Sequence, residues 1–190
     1  MVIALVNAMQ NIPPWPPLRR IMALAAALPI FSYGLLAEAR ENGSKTVLAL
    51  DLDYAAPRSE PDSAGGGGGA LRIGRKFDLI ALSLTPEIGG SYAGFGGNSS
   101  ATVYRGFIGG RLGIGKIFEP SAFAHIGLGE LSSSNTSHIA PTFDAGVAFD
   151  FTLLPLIDLG AHASYNTLVG QGVNSAFDWF LLGVHVALEF

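Results

Sequence analysis

The sequence predicts an all-β fold: an eight-stranded, antiparallel, up-and-down transmembrane β-barrel. Three observations lead there. From Thr46 onward apolar and polar residues alternate with a period of two. The 190 residues are 49% hydrophobic and 14% charged, yet beyond residue 37 no stretch approaches an unbroken membrane-helix span, roughly 18 apolar residues. The run "WFLLGVHVALEF" sets Phe180, Leu182, Val184, Val186, Leu188 and Phe190 on one face. Trp179, Leu181, Gly183, His185, Ala187 and Glu189 occupy the other.

Residues 1–39 read as an N-terminal extension and signal peptide, and 40–190 as the barrel domain. Arg19 and Arg20 precede a moderately apolar stretch that ends in Ala37-Glu38-Ala39, a small-residue cleavage site. Pro29 and the modest length argue against a retained membrane helix.

The first strand, "TVLALDLDY", places Leu48, Leu50, Leu52 and Tyr54 opposite Asp51 and Asp53. The stretch Gly65–Gly69 that follows reads as a flexible surface loop. "ALRIGRKF" is the second strand, with Leu71, Ile73 and Phe77 against Arg72, Gly74 and Lys76. "LTPEIGGSY" sets Leu84, Ile88 and Tyr92 against Glu87 and Ser91, and "YRGFIGGRLGIG" sets Tyr104, Ile108, Leu112 and Ile114 against Arg105 and Arg111. In the fifth strand, "AFAHIGLG", His125 opposes Ala122, Ala124, Ile126 and Leu128. "FDAGVAFDF" opposes Asp144 and Asp150 to Phe143, Val147, Phe149 and Phe151. "LGAHASY" opposes His162 and Ser164 to Leu159, Ala161, Ala163 and Tyr165, and the run quoted above closes the series. Long Gly- and Ser/Asn-rich connections alternate with turns such as "IFEP" and "LPLI".

Such strands suit a soluble barrel with apolar faces inward or a membrane barrel with them outward. Two features select the membrane barrel. The polar faces carry small residues such as Gly74, Gly109, Gly146 and Gly160, which suit a narrow interior, and lack the long Lys and Glu of a solvated exterior. The aromatics fall on the apolar faces at two rims: Tyr54, Tyr92, Tyr104, Phe143, Tyr165 and Phe180 at one, Phe77, Phe151 and Phe190 at the other.

The inward faces then bring Asp51, Asp53, Arg72, Glu87, Arg105, Arg111, Asp144 and Asp150 into one lumen, with Lys76 beside them. Unpaired charges in so narrow a space are costly, so a closed network that plugs the barrel is expected, with Glu87 between Arg72 and Arg111.

The signal, the eight segments and the terminal Phe190 with alternate apolar residues before it resemble small outer-membrane β-barrel proteins of the OmpA/OmpX type. That resemblance implies a bacterial outer-membrane location and lipid as surroundings. It also implies that Phe190 and its strand are the label read by the barrel-assembly machinery. Unlike the full OmpA type, no peptidoglycan-binding domain is expected to follow. A monomer with a structural or loop-mediated interaction role, without catalysis or cofactor, is the expectation.

Other chemistry is weighed against this reading. "GRLGIGKI" misses a phosphate-binding loop because Ile117 stands where Ser or Thr would hold magnesium, and the stretch alternates as a strand. Small outer-membrane lipid A deacylases carry a His-x-Ser pair on a late strand, which His162 and Ser164 resemble; here Tyr165 follows where that pattern has Asn, and both residues face the lumen. His125, His162 and His185 share the inward face, but their strands are not all neighbours, and no metal is expected. Without cysteine there is no thiolate site or disulfide. A net charge of −4 and no basic cluster beyond Arg72, Arg75 and Lys76 exclude a nucleic-acid partner.

Overall fold

A computed structural model describes residues 44–58, 63–79, 81–97, 100–133, 136–154, 156–170 and 176–190. The signal-peptide reading of residues 1–39 falls outside them. Eight barrel strands follow in chain order: β1 (Ser44–Pro57), β2 (Gly66–Leu79), β3 (Leu82–Gly97), β4 (Ala101–Ile114), β5 (Phe118–Ser133), β6 (Thr136–Leu154), β7 (Ile157–Leu168) and β8 (Phe177–Glu189). Each pairs antiparallel with its neighbour in sequence, and β1 pairs with β8 from Val47↔Glu189 to Pro57↔Trp179, which closes the sheet. A two-residue strand, Ser63–Ala64, adds to the loop end of β3.

Closure follows from the residue pattern. In hydrocarbon an open sheet edge leaves backbone donors and acceptors unpaired, so a sheet with one apolar face is stable there only as a closed ring. The period of two then sends one set of residues outward all round. Leu52, Ile108, Val147 and Val184 are 65%, 55%, 61% and 59% exposed, and the remaining strands add Leu71, Ile88, Ile126 and Leu159 at the same outward parity. A belt of this extent far exceeds what a soluble monomer shows to water. No described helix is long and apolar enough to cross a membrane; this chain crosses with strands.

Aromatic rings bound the belt. At the loop end Tyr92 packs on Tyr104 and Tyr165 on Phe180, with centroids 5.0 and 5.3 Å apart. At the turn end Phe118 stacks on Phe151 at 5.0 Å and packs beside Phe149 at 5.9 Å. Arg75 also sits at outward parity near this rim, where its Nε donates to Ser44 Oγ at 2.7 Å and its guanidinium lies over Phe77.

Two sequence expectations are corrected. The "IFEP" segment is not a turn: β5 begins at Phe118, and the connection is residues 115–117, where Gly115 takes a positive φ of 115°. Phe118 thereby joins the rim and Glu119 turns into the lumen, at 5% exposure. The glycine run is not a free loop either: Gly66–Gly69 belong to β2 and pair with Leu52–Ala55. Backbone proximity demands glycine there, since a Cβ on Gly68 would lie 2.5 Å from the Tyr92 carbonyl oxygen.

Candidate functional site

The interior is filled in three layers. Toward the loops lies an apolar layer of Phe95, Val103, Leu168, Phe177 and Trp179, packed with Ala55, Ala93, Ala101 and Ala140. Phe95 meets Phe177 and Trp179 edge-on, at 5.2 and 6.1 Å between centroids. Trp179, Leu168 and Val103 are each at most 1% exposed. This layer escaped the sequence reading, which ended the third strand at Tyr92 and began the last at Trp179. The ladder continues past the rim, and its inward residues there are apolar.

The central layer holds the charges. Arg72 of β2 forks onto β1, donating from Nε and Nη2 to the two oxygens of Asp51 at 2.8 Å each; its Nη1 donates to Glu87 Oε2 at 2.9 Å. Glu87 Oε1 accepts from His125 Nε2 at 2.8 Å, and His125 Nδ1 donates to Asp144 Oδ1 at 2.7 Å. Asp144 also accepts from Arg105 Nη2, while Arg105 Nη1 donates to Asn166 Oδ1 at 2.7 Å. Arg111 Nη1 donates to Asp150 Oδ2 at 3.1 Å and its Nε stands 4.0 Å from Glu87. Arg105 lies over the Phe107 ring and Arg111 over Phe123, so both cations are also faced by aromatic surface.

Asp53 and Asp150 hold the other two inward histidines. His162 Nε2 donates to Asp53 Oδ1 at 2.8 Å, and His185 Nε2 donates to Asp150 Oδ1. Their Nδ1 atoms face one another at 3.4 Å. Gly183 and Gly160 make room for these pairs. A Cβ on Gly183 would meet Asp53 Oδ1 at 2.1 Å, and one on Gly160 would meet His185 Nε2 at 2.4 Å.

A third, turn-end layer centres on Lys76, whose Nζ donates to Glu119 Oε2 at 2.7 Å and Glu189 Oε1 at 2.8 Å; Lys45 adds a bond to Glu189 at 2.7 Å. Ser83 Oγ donates to the other oxygen of Glu119, and Asp158 is buried beside them. Between this layer and the centre lies a polar cavity of about 30 Å³, bounded by Arg72, Glu87, Asp150 and His185 among others.

All eight charged residues read from the sequence face this interior, and Glu87 contacts Arg72 directly but Arg111 only at 4.0 Å. Sequence reasoning placed the three histidines inward, with His162 as a structural group hydrogen-bonded inside the barrel, but did not count them in the charge network, and it left out Glu119, Asp158 and Glu189. Inward parity was the available signal for His125, His162, His185 and Glu189. His162 and Ser164 point inward together, 9% and 7% exposed, away from lipid. Ser164 Oγ accepts from Asn166 Nδ2 at 2.9 Å, and among the described residues no hydrogen bond joins His162 to Ser164.

No protein-family model matches the sequence, and no curated protein is similar to it. Solved structures are similar in fold. Neisserial surface protein A (NspA) superposes with a TM-score of 0.61 at 16% identity, over 76% of this chain and 97% of that one. The outer membrane enzyme PagL superposes with a TM-score of 0.51 at 15% identity, over 71% of this chain and 97% of that one. The fold is that of the small outer-membrane barrels. With the apolar belt all round its wall, the chain is a membrane-spanning β-barrel in both fold and surface.

Proposed function

We propose that this chain is an exported protein of the Gram-negative bacterial outer membrane that acts without catalysis. It serves envelope structure or makes contacts through its loop end, and its lumen is plugged. The filled interior carries the reading. An apolar layer around Trp179 and Phe95 lies above a buried network of ion pairs, and the two together support a plugged lumen. An eight-stranded barrel is narrow enough for side chains alone to occupy it.

The non-catalytic part rests on the orientation of His162 and Ser164. A hydrolase of lipid needs its nucleophile and base on the surface that meets lipid, and here both are buried inward and bonded to Asp53 and Asn166 respectively. The partners of this reading are outer-membrane lipid around the belt and the barrel-assembly machinery, which reads β8 with Phe190. All eight strands present apolar residues outward, where lipid can cover them without a second copy of the chain.

Planar-bilayer recording of the purified barrel tests the plug: no steady conductance is expected, and a large steady conductance would overturn it. Incubation with lipid A and phospholipid, followed by mass analysis, tests the absence of catalysis; hydrolysis lost in Ser164→Ala would refute it.

A further inference from the structure

His162 and His185 face each other through Nδ1, and each is held by a carboxylate at its far nitrogen. A carboxylate only accepts, so Asp53 and Asp150 fix the proton of each ring on Nε2. Each Nδ1 is then a bare lone pair, and the two lone pairs point at each other across 3.4 Å. Two Zn–N bonds of about 2.0–2.1 Å at a tetrahedral angle place their nitrogens about 3.3–3.4 Å apart, so these two rings can grip one ion with little movement.

A third ligand stands beside the pair. One oxygen of Asp51, on β1 next to β8, lies within 4.8 Å of the ligand nitrogens of His162 and His185. Each of its oxygens takes one bond from Arg72 and keeps a lone pair. The surroundings are net acidic: in the central layer Asp51, Asp53, Glu87, Asp144 and Asp150 face three guanidiniums, those of Arg72, Arg105 and Arg111.

We propose that the lumen holds a divalent transition-metal ion of the zinc class, bound by His162 Nδ1, His185 Nδ1 and the Asp51 carboxylate. Asp53 and Asp150 are positioning residues: each holds its imidazole by the far nitrogen, the arrangement that orients metal-binding histidines. The polar cavity that His185 and Asp150 line, on the turn-end side of the pair, is large enough for about one water. His125 is not part of it, since both its nitrogens are engaged elsewhere.

The test uses the refolded full-length barrel in detergent, with folding checked by heat-modifiable migration on gels. Zn²⁺ titrated calorimetrically should bind one per barrel, and Co²⁺ should give the visible absorption of a four-coordinate site. His162→Gln and His185→Gln should each abolish binding, Asp53→Asn should weaken it about 10–100-fold, and His138→Gln should leave it unchanged. Absence of binding to the wild type, or binding undiminished in both histidine variants, would overturn the proposal. If a histidine variant does not refold, X-ray absorption on the zinc-loaded wild type decides. Two nitrogen ligands at about 2.0–2.1 Å support the site, and a shell of oxygen alone refutes it.

Discussion

Glu87 accepts a hydrogen bond from His125 on one carboxylate oxygen and from Arg72 on the other, at 2.8 and 2.9 Å, and so joins β2, β3 and β5 across the lumen. Removing one partner of a buried pair strands the other, which costs about 3–5 kcal/mol. Glu87→Ala should therefore lower unfolding stability by about that amount. Asp78→Ala, at an exposed rim position, should stay within about 0.5 kcal/mol. Urea titration of the two variants in lipid vesicles measures the difference, and equal midpoints would contradict the network.

Val147 projects outward from β6 at 61% exposure. Val147→Arg should cost about 2–4 kcal/mol, as a cation near the bilayer midplane does. The same titration checks it; indifference to arginine there would mean that this face does not meet hydrocarbon.

Gly68 tests the correction to the glycine run. Its missing side chain lets β2 lie against Tyr92 and Ala93 of β3. Gly68→Val should destabilise the barrel by about 1–3 kcal/mol through forced backbone shifts. A free loop would tolerate the change, so an unaltered midpoint would restore the loop reading.

Phe190 is 56% exposed beside Thr46, with which it exchanges both backbone hydrogen bonds at 2.7 and 2.9 Å. Substitution to Ser keeps the backbone bonds and removes only the outward ring. Phe190→Ser is expected to reduce the folded barrel recovered from outer membranes while the exported amount stays constant. Quantitative immunoblots of heated and unheated fractions give both numbers.

The wall of this barrel was legible because a period of two determines which side every residue takes. Once Leu50 and Val186 are outward, Asp51 and His185 must be inward, and no tertiary information is needed. Strand ends were less legible, since the ladder runs on where the apolar belt stops; hence Phe95, Val103 and Phe177 were missed as a lumen layer. Glu119 was hidden by reading Pro120 as a turn residue, although an outward proline at the rim is compatible with β5. The meeting of Asp51, His162 and His185 needs the closing pair β1–β8 and its register, which places Asp51 opposite His185. Alternation along single strands holds no such information.

That closing pair also dictates how the chain reaches its membrane. Lys45 bonds Glu189 across 144 positions of sequence, and the outer edges of β1 and β8 stay unpaired until β8 finds β1. Partial barrels therefore have no resting place in lipid. Until the ring closes, those two edges have to be shielded from hydrocarbon by something other than this chain's own sheet. The lumen that isolates the ion pairs from water is complete only once the ring is shut.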